Sequence, residues 1–137
     1  MNSLSIELIC TQSLSVLRQF QSVKLAFLFG SAAKNRMRHD SDIDIGIAGD
    51  QVFSIDELFE IREALIKGLK KEIDLLDIRN NNGLIRSEIL CKGIQIFSRD
   101  TLLLASIMKE VVYFNDDFLS LQNELLDKKI RRFAFGR

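Results

Sequence analysis

The sequence predicts an α/β domain, a small mixed sheet of about four strands flanked by helices. Three observations lead there. Strand-length runs rich in apolar residues recur at 23–29, 72–78 and 94–97, and residues 42–48 alternate apolar with polar at a period of two. Residues 4–20, 55–69, 84–91 and 101 onward instead place apolar side chains at helical spacing. A chain of 137 residues is long enough to bury one core and too short for two.

In chain order, residues 4–20 carry Ile6, Ile9, Cys10, Val16, Leu17 and Phe20 on one stripe that only Ser13 interrupts, so a first helix covers one face of the sheet. Residues 23–29 read as a buried strand that stops at Gly30-Ser31, where glycine lets the backbone turn and approach a ligand. In residues 42–48, Asp42, Asp44, Gly46 and Ala48 point to one face and Ile43, Ile45 and Ile47 to the other. The isoleucines pin the register, because a slip by one residue would drive both aspartates into the core. Ser54 and Glu57 form a capping box opening a helix that continues through Leu58, Leu65 and Leu69.

Strand 72–78 contains Asp74 and Asp77, whose opposite parity allows only one of them to share a face with Asp42 and Asp44. After a turn cluster at 80–83, residues 84–91 form a short helix stopped by Gly93, and 94–97 form a last short strand. From Thr101 the chain is helical again, and Asn115-Asp116-Asp117 is expected to divide it. Its apolar residues fall on two sides, Leu104, Ile107, Met108 and Val111 on one, Val112 and Phe114 on another. That is more surface than a small sheet buries, so part of the segment either contacts another chain or packs on itself.

Two carboxylates two residues apart on one strand face repel each other unless a cation lies between them. Mg²⁺ suits them, being hard, oxygen-seeking and usually held by one or two carboxylates plus substrate phosphates. Taken alone, Asp42-Ile43-Asp44 reads as the solvated face of an edge strand. The preceding Gly30-Ser31 changes that reading, since its backbone N–H groups and hydroxyl can cradle phosphate oxygens. In the loop at 34–40, Lys34, Arg36, Arg38 and His39 either steer a triphosphate or form a solvated charged surface, with Lys34 best placed for the first role.

His39 is the only histidine, which argues against a histidine-based structural metal site. Cys10 and Cys91 lack metal or disulfide spacing and suit a reducing cytoplasm, and no apolar run reaches membrane-spanning length. The 19 basic and 19 acidic residues cancel, so net charge gives no ground for a nucleic-acid or membrane partner. A cytoplasmic protein is expected.

Gly30-Ser31, a spacer of ten residues and Asp42-Ile43-Asp44 resemble the signature of the DNA polymerase β superfamily of nucleotidyltransferases, and the small size resembles its minimal nucleotidyltransferase branch. Where that branch often reads Gly-Ser-x-Ala-Arg-Gly, this chain has Gly30-Ser31-Ala32-Ala33-Lys34-Asn35. Lys34 keeps the charge but lacks the bidentate fork of arginine. The resemblance implies a polymerase β-like fold, with a nucleotidyltransferase core at 1–100 and a helical extension at 101–137.

It also implies that the third carboxylate is Asp74, because the branch places it in a strand reading apolar-Asp-apolar-apolar, as in Ile73-Asp74-Leu75-Leu76. Asp42, Asp44 and Asp74 would be the catalytic and metal-binding set for two Mg²⁺ ions, with Gly30, Ser31, Lys34 and Ser41 holding ATP. A tail with Tyr113-Phe114 and a basic end, Lys128-Lys129-Ile130-Arg131-Arg132-Phe133, resembles antitoxins of this branch paired with HEPN-domain toxins. The implied reaction is transfer of AMP to a tyrosine hydroxyl of a HEPN ribonuclease, which silences it.

Two other readings compete. A transferase acting on a small molecule such as an aminoglycoside would need an acceptor pocket, for which the tail leaves little chain. A degenerate nucleotidyltransferase would neutralise a toxin by contact alone; the altered Lys34-Asn35 favours that reading and the intact carboxylates oppose it.

Overall fold

The computed structural model describes residues 5–34, 42–81 and 83–116, in the order α1 (Ile6–Leu17), β1 (Leu25–Phe29), α2 (Gly30–Ala33), β2 (Ile43–Ala48), α3 (Ile55–Leu69), β3 (Ile73–Asp77), a 3₁₀ turn (Ile78–Asn80), α4 (Gly83–Lys92), β4 (Ile94–Ser98) and α5 (residues 101–116). Helices start where the sequence supplies caps. Ser5 accepts a hydrogen bond from the Leu8 amide at the head of α1, and Ser54 and Glu57 make the reciprocal capping box of α3.

The strands form one mixed sheet in the order β3-β2-β1-β4. β1 runs antiparallel to both neighbours, and β2 is parallel to β3, with α3 as the crossover that parallel pairing requires. The expected α/β class with about four strands and flanking helices is what the chain adopts.

Alternation along the strands divides the core into two layers. Ala26, Leu28, Ile43, Ile45, Ile47 and Ile73 face α1 and α3, where Ile9, Leu17, Ile61, Leu65 and Leu69 cover them. Leu25, Phe27 and Ala48 face the other way, against Ile78, Ile89, Leu90, Ile107 and Val111. Ile107 and Val111 are buried, so α5 packs on the sheet, while Leu102, Val112 and Tyr113 on the same helix stay exposed. Asn115 and Asp116 are still helical; the predicted break completed by Asp117, the apolar residues beyond it and the basic end lie outside the described residues.

Three differences from the sequence reading have physical reasons. The first strand begins at Leu25, because the amide of Lys24 only reaches the Ala48 carbonyl at the ladder's end. The third ends at Asp77, whose carboxylate takes the Arg79 amide and winds Ile78 into the 3₁₀ turn. Gly30-Ser31, read as an open turn, is the first half of the short helix α2.

Two arginines close the layers. Arg99 donates to the carbonyls of Leu17, Arg18 and Phe20 behind α1. Arg86 on α4 donates to the carbonyls of Ile78, Arg79 and Asn81 and to Glu110 on α5, the last at 2.6 Å. No helix among the described residues is long and apolar enough to cross a membrane.

Ser13, the one polar residue on the α1 stripe, is fully buried, and its hydroxyl has no hydrogen-bond partner among the described residues. An unsatisfied buried hydroxyl costs about 1–3 kcal/mol. Ser13→Ala is therefore expected to stabilise the protein by about 1 kcal/mol, read as a higher urea midpoint at unchanged slope. A lower midpoint would show that the hydroxyl is satisfied.

Candidate active site

Two strand registers build the site. In one Phe29 stands opposite Asp44, and in the other Asp44 stands opposite Asp74. Both aspartates lie on the face that α4 and α5 cover only towards its far end. Gly46, two residues along β2 from Asp44, marks the boundary: a Cβ there would stand 3.2 Å from both Ile78 and Ile89, so the absent side chain lets the 3₁₀ turn and α4 settle against the strand.

Gly30 follows β1 with φ at 71°, a left-handed conformation that favours glycine. A Cβ at this position would also collide with Asp44 Oδ2. Conformation and space therefore make the same demand. The start of α2 lies directly beside the Asp44 carboxylate, and no side chain caps that helix start.

Asp44 and Asp74 are within hydrogen-bonding reach of each other. The Asp44 carboxyl is pushed up to about 6, first by burial, then by the charge of Asp74 and the hydrogen bond with it, and last by the charge of Asp42. Asp42 is exposed, one residue ahead of β2, and Asp74 is exposed on the edge strand β3. Asp77 points to the opposite side, as its parity requires. It is buried, and accepts hydrogen bonds from the Phe53 amide at 2.8 Å and the Arg79 amide at 3.1 Å. The structure thus brings Asp74, and not Asp77, to Asp44.

Among the nucleotide-binding candidates, Gly30 and Ser31 open α2 and Lys34 ends it. The Lys34 ammonium lies 3.6 Å from Glu88 on α4, whose other carboxylate oxygen is 3.5 Å from Lys92. Sequence reading missed this partner. The Glu88–Lys92 pair is visible as an i, i+4 spacing, but nothing local ties Lys34 to a residue 54 positions on. Ser41, Arg36, Arg38 and His39 lie outside the described residues.

Among the described residues no three His, Cys, Asp or Glu side chains close into a ready-made cage for a metal ion. Asp44 and Asp74 still fit a hard divalent cation. They are all-oxygen donors set opposite each other on paired strands, and their mutual repulsion falls when a positive charge lies between them. A Mg²⁺ site commonly takes only one or two carboxylates and completes its shell with phosphate and water.

The family model described as "Polymerase beta, Nucleotidyltransferase" matches residues 12–102, from α1 into α5, including every candidate residue above. Protein adenylyltransferase MntA of Shewanella oneidensis is 25% identical over 75 residues, which make up 55% of this chain and 54% of that protein. The match thus spans about half the length of that curated relative. A chain of a toxin–antitoxin crystal structure with AMP-PNP has a TM-score of 0.72 at 18% identity, covering 88% of this chain and 98% of that one. A chain from the tri-AMPylated Shewanella oneidensis HEPN toxin in complex with MNT antitoxin has a TM-score of 0.62, with the same identity and coverage. At such identity the structural likeness is one of fold.

The position of Asp44 predicts a pH signature. A carboxyl raised to about 6 in the folded chain keeps a proton that the unfolded chain, titrating near 3.9, has released. Stability of the metal-free protein therefore falls as pH rises from about 4 towards 6, and stays reduced above that range. Asp44→Asn removes the effect: its Tm should exceed that of the unmodified chain at neutral pH, with the gap closing near pH 4. Equal Tm values at both ends of this range would show that the carboxylates do not strain one another.

Proposed function

The chain belongs to the polymerase beta nucleotidyltransferase family, and from that membership we propose that it is a Mg²⁺-dependent protein adenylyltransferase. It transfers AMP from ATP to a tyrosine hydroxyl of a HEPN-domain ribonuclease and so acts as an antitoxin in the cytoplasm. The observation that carries this reading is the Asp44–Asp74 pair beside Gly30 at the head of α2. A strained carboxylate pair next to a glycine-opened backbone is suited to a metal-bound triphosphate and has little use in a module that only binds.

The chain's residues divide the work. Asp42, Asp44 and Asp74 would hold the cation, and the backbone at Gly30 and Ser31 takes phosphate oxygens. Mg²⁺, when bound there, would neutralise the charge of the phosphates. Asp74, exposed at the sheet edge, accepts the acceptor hydroxyl's proton. The oxygen then bonds to the α-phosphorus, the bond to the bridging oxygen of pyrophosphate breaks, and pyrophosphate leaves with that electron pair. Positioning and charge account for catalysis, with no covalent intermediate on the protein.

The similar proteins support the partner: one is a protein adenylyltransferase, and one complex holds a HEPN toxin carrying AMP. Residues 101–137 form the partner-docking extension, beginning with the exposed Leu102, Val112 and Tyr113 of α5. One observation favours neutralisation by contact alone: Lys34 is already engaged by Glu88.

The test is mass spectrometry of a HEPN partner incubated with this protein, ATP and Mg²⁺ and then separated from it. The expected result is mass gained in steps of one adenylate and inactivity that outlasts separation. An unmodified but inhibited partner would establish the contact reading. Asp42→Asn, Asp44→Asn and Asp74→Asn should each abolish transfer and keep the fold. Asp77→Asn should retain transfer and lose about 1–3 kcal/mol of stability, because its carboxylate serves backbone amides. Deleting residues 128–137 should weaken the complex and spare folding of the sheet, as read by calorimetry.

A further inference from the structure

β2 runs away from Asp44, and the loop that follows it leads into α3 at the other end of the sheet. Here an apolar ridge faces outward: Val52, Ile55 and Phe59 are 50%, 84% and 62% exposed. Ile55 and Phe59 lie one helical turn apart on the same side, flanked by the exposed Asp56, Glu60 and Glu63. Beside the ridge is a cavity of about 280 Å³ lined by Ser22, Asp50, Gln51, Val52, Phe53 and Glu57.

The surroundings of this ridge are strongly acidic. Residues 50–63 hold Asp50, Asp56, Glu57, Glu60 and Glu63 against Arg62 alone, in a chain of zero net charge. Arg62 is moreover engaged by Glu63, Glu72 and the Ile73 carbonyl. This charge selects the occupant. A second copy meeting the ridge about a twofold axis would set Asp56, Glu60 and Glu63 against their own counterparts. A basic protein face with apolar anchors fits instead, its Lys or Arg along the acidic flank and in the cavity beside Asp50, its apolar groups over Ile55 and Phe59.

We propose that the Val52–Ile55–Phe59 ridge docks the RNA-phosphate-binding face of the ribonuclease partner, masking it by contact. The inference rests on the reading above in that the partner is a ribonuclease, which must present Lys and Arg to RNA phosphates. Because the ridge and the carboxylates occupy opposite ends of β2, a partner held on the ridge leaves the transfer site of the same chain open. Inhibition within the complex then needs no ATP, whereas inhibition that survives separation does.

The experiment uses the full chain and the HEPN ribonuclease, with Phe59→Ser and the double variant Asp56→Lys with Glu60→Lys, all at exposed positions. Without ATP, both variants should raise the Kd tenfold or more and relieve inhibition of RNA cleavage, and the double variant should also flatten the salt dependence of binding. With ATP and Mg²⁺, transfer at saturating partner should be unchanged. Unaltered Kd and unaltered ATP-free inhibition overturn the proposal. Sedimentation showing a dimer of the unmodified chain that these variants dissociate gives the ridge to a second copy and overturns it too. If the unmodified chain binds the partner through the ridge but never modifies it, the transferase reading fails and the docking stands. If the unmodified chain does not bind the partner at all, both fail.

Discussion

Asp44 and Asp74 stand opposite each other on a parallel strand pair, the charge of each bearing on the other, and much of the surrounding architecture serves to keep them there. Parallel pairing of β2 with β3 requires a crossover, and α3 provides it while burying Ile61, Leu65 and Leu69 against the isoleucine face of β2. Those contacts fix the parity of the strand. A slip that relieved the carboxylates would expose Ile43, Ile45 and Ile47, each fully buried, at about 1.5–3 kcal/mol per side chain. The repulsion between two carboxylates is thus held in place by apolar contacts on the opposite face of the sheet.

Two glycines set the limits of the site from either side. At Gly30 the chain needs a left-handed residue and must leave room for the Asp44 carboxylate, so backbone amides rather than a side chain border it. At Gly46 the missing side chain lets Ile78 and Ile89 come down onto the strand, which seals the face two residues from Asp44. A polar, partly open end and a dry, packed end therefore share one short strand. The contrast also accounts for the perturbed carboxyl: Asp44 sits at the margin of the packed region, where burial is sufficient to raise its pKa, with Asp74 and Asp42 adding their charge.

Much of this was legible in the sequence because it is local. The alternation in 42–48, the capping box at Ser54 and the Ser13 interruption of α1 each concern neighbours within a turn or along a strand, and each corresponds to a structural feature. Parity alone allows only one of Asp74 and Asp77 on the face of Asp44; in the structure Asp74 stands opposite it, while Asp77 accepts from the Phe53 amide 24 residues away. What stayed hidden is long-range or too short to have a period. Four residues, Gly30 to Ala33, cannot display helical spacing, the attachment of Lys34 to Glu88 spans two elements, and the Arg86 bonds to three carbonyls depend on where the 3₁₀ turn falls.

Net charge is a coarse guide for a related reason: it averages over the whole chain, whereas a partner feels local fields within about 8–10 Å at moderate salt. The neutral total conceals an acidic stretch at 50–63, with five carboxylates against one arginine, and a basic sequence at 128–137, which contains Lys128, Lys129, Arg131, Arg132 and Arg137 and no Asp or Glu. Each also carries large apolar side chains, Val52, Ile55 and Phe59 in the first and Ile130, Phe133 and Phe135 in the second. Opposite charges on separate stretches favour one orientation of a partner with a complementary pattern and disfavour self-pairing of like stretches. A chain of zero net charge lacks the long-range attraction to nucleic acid that a net positive charge would bring.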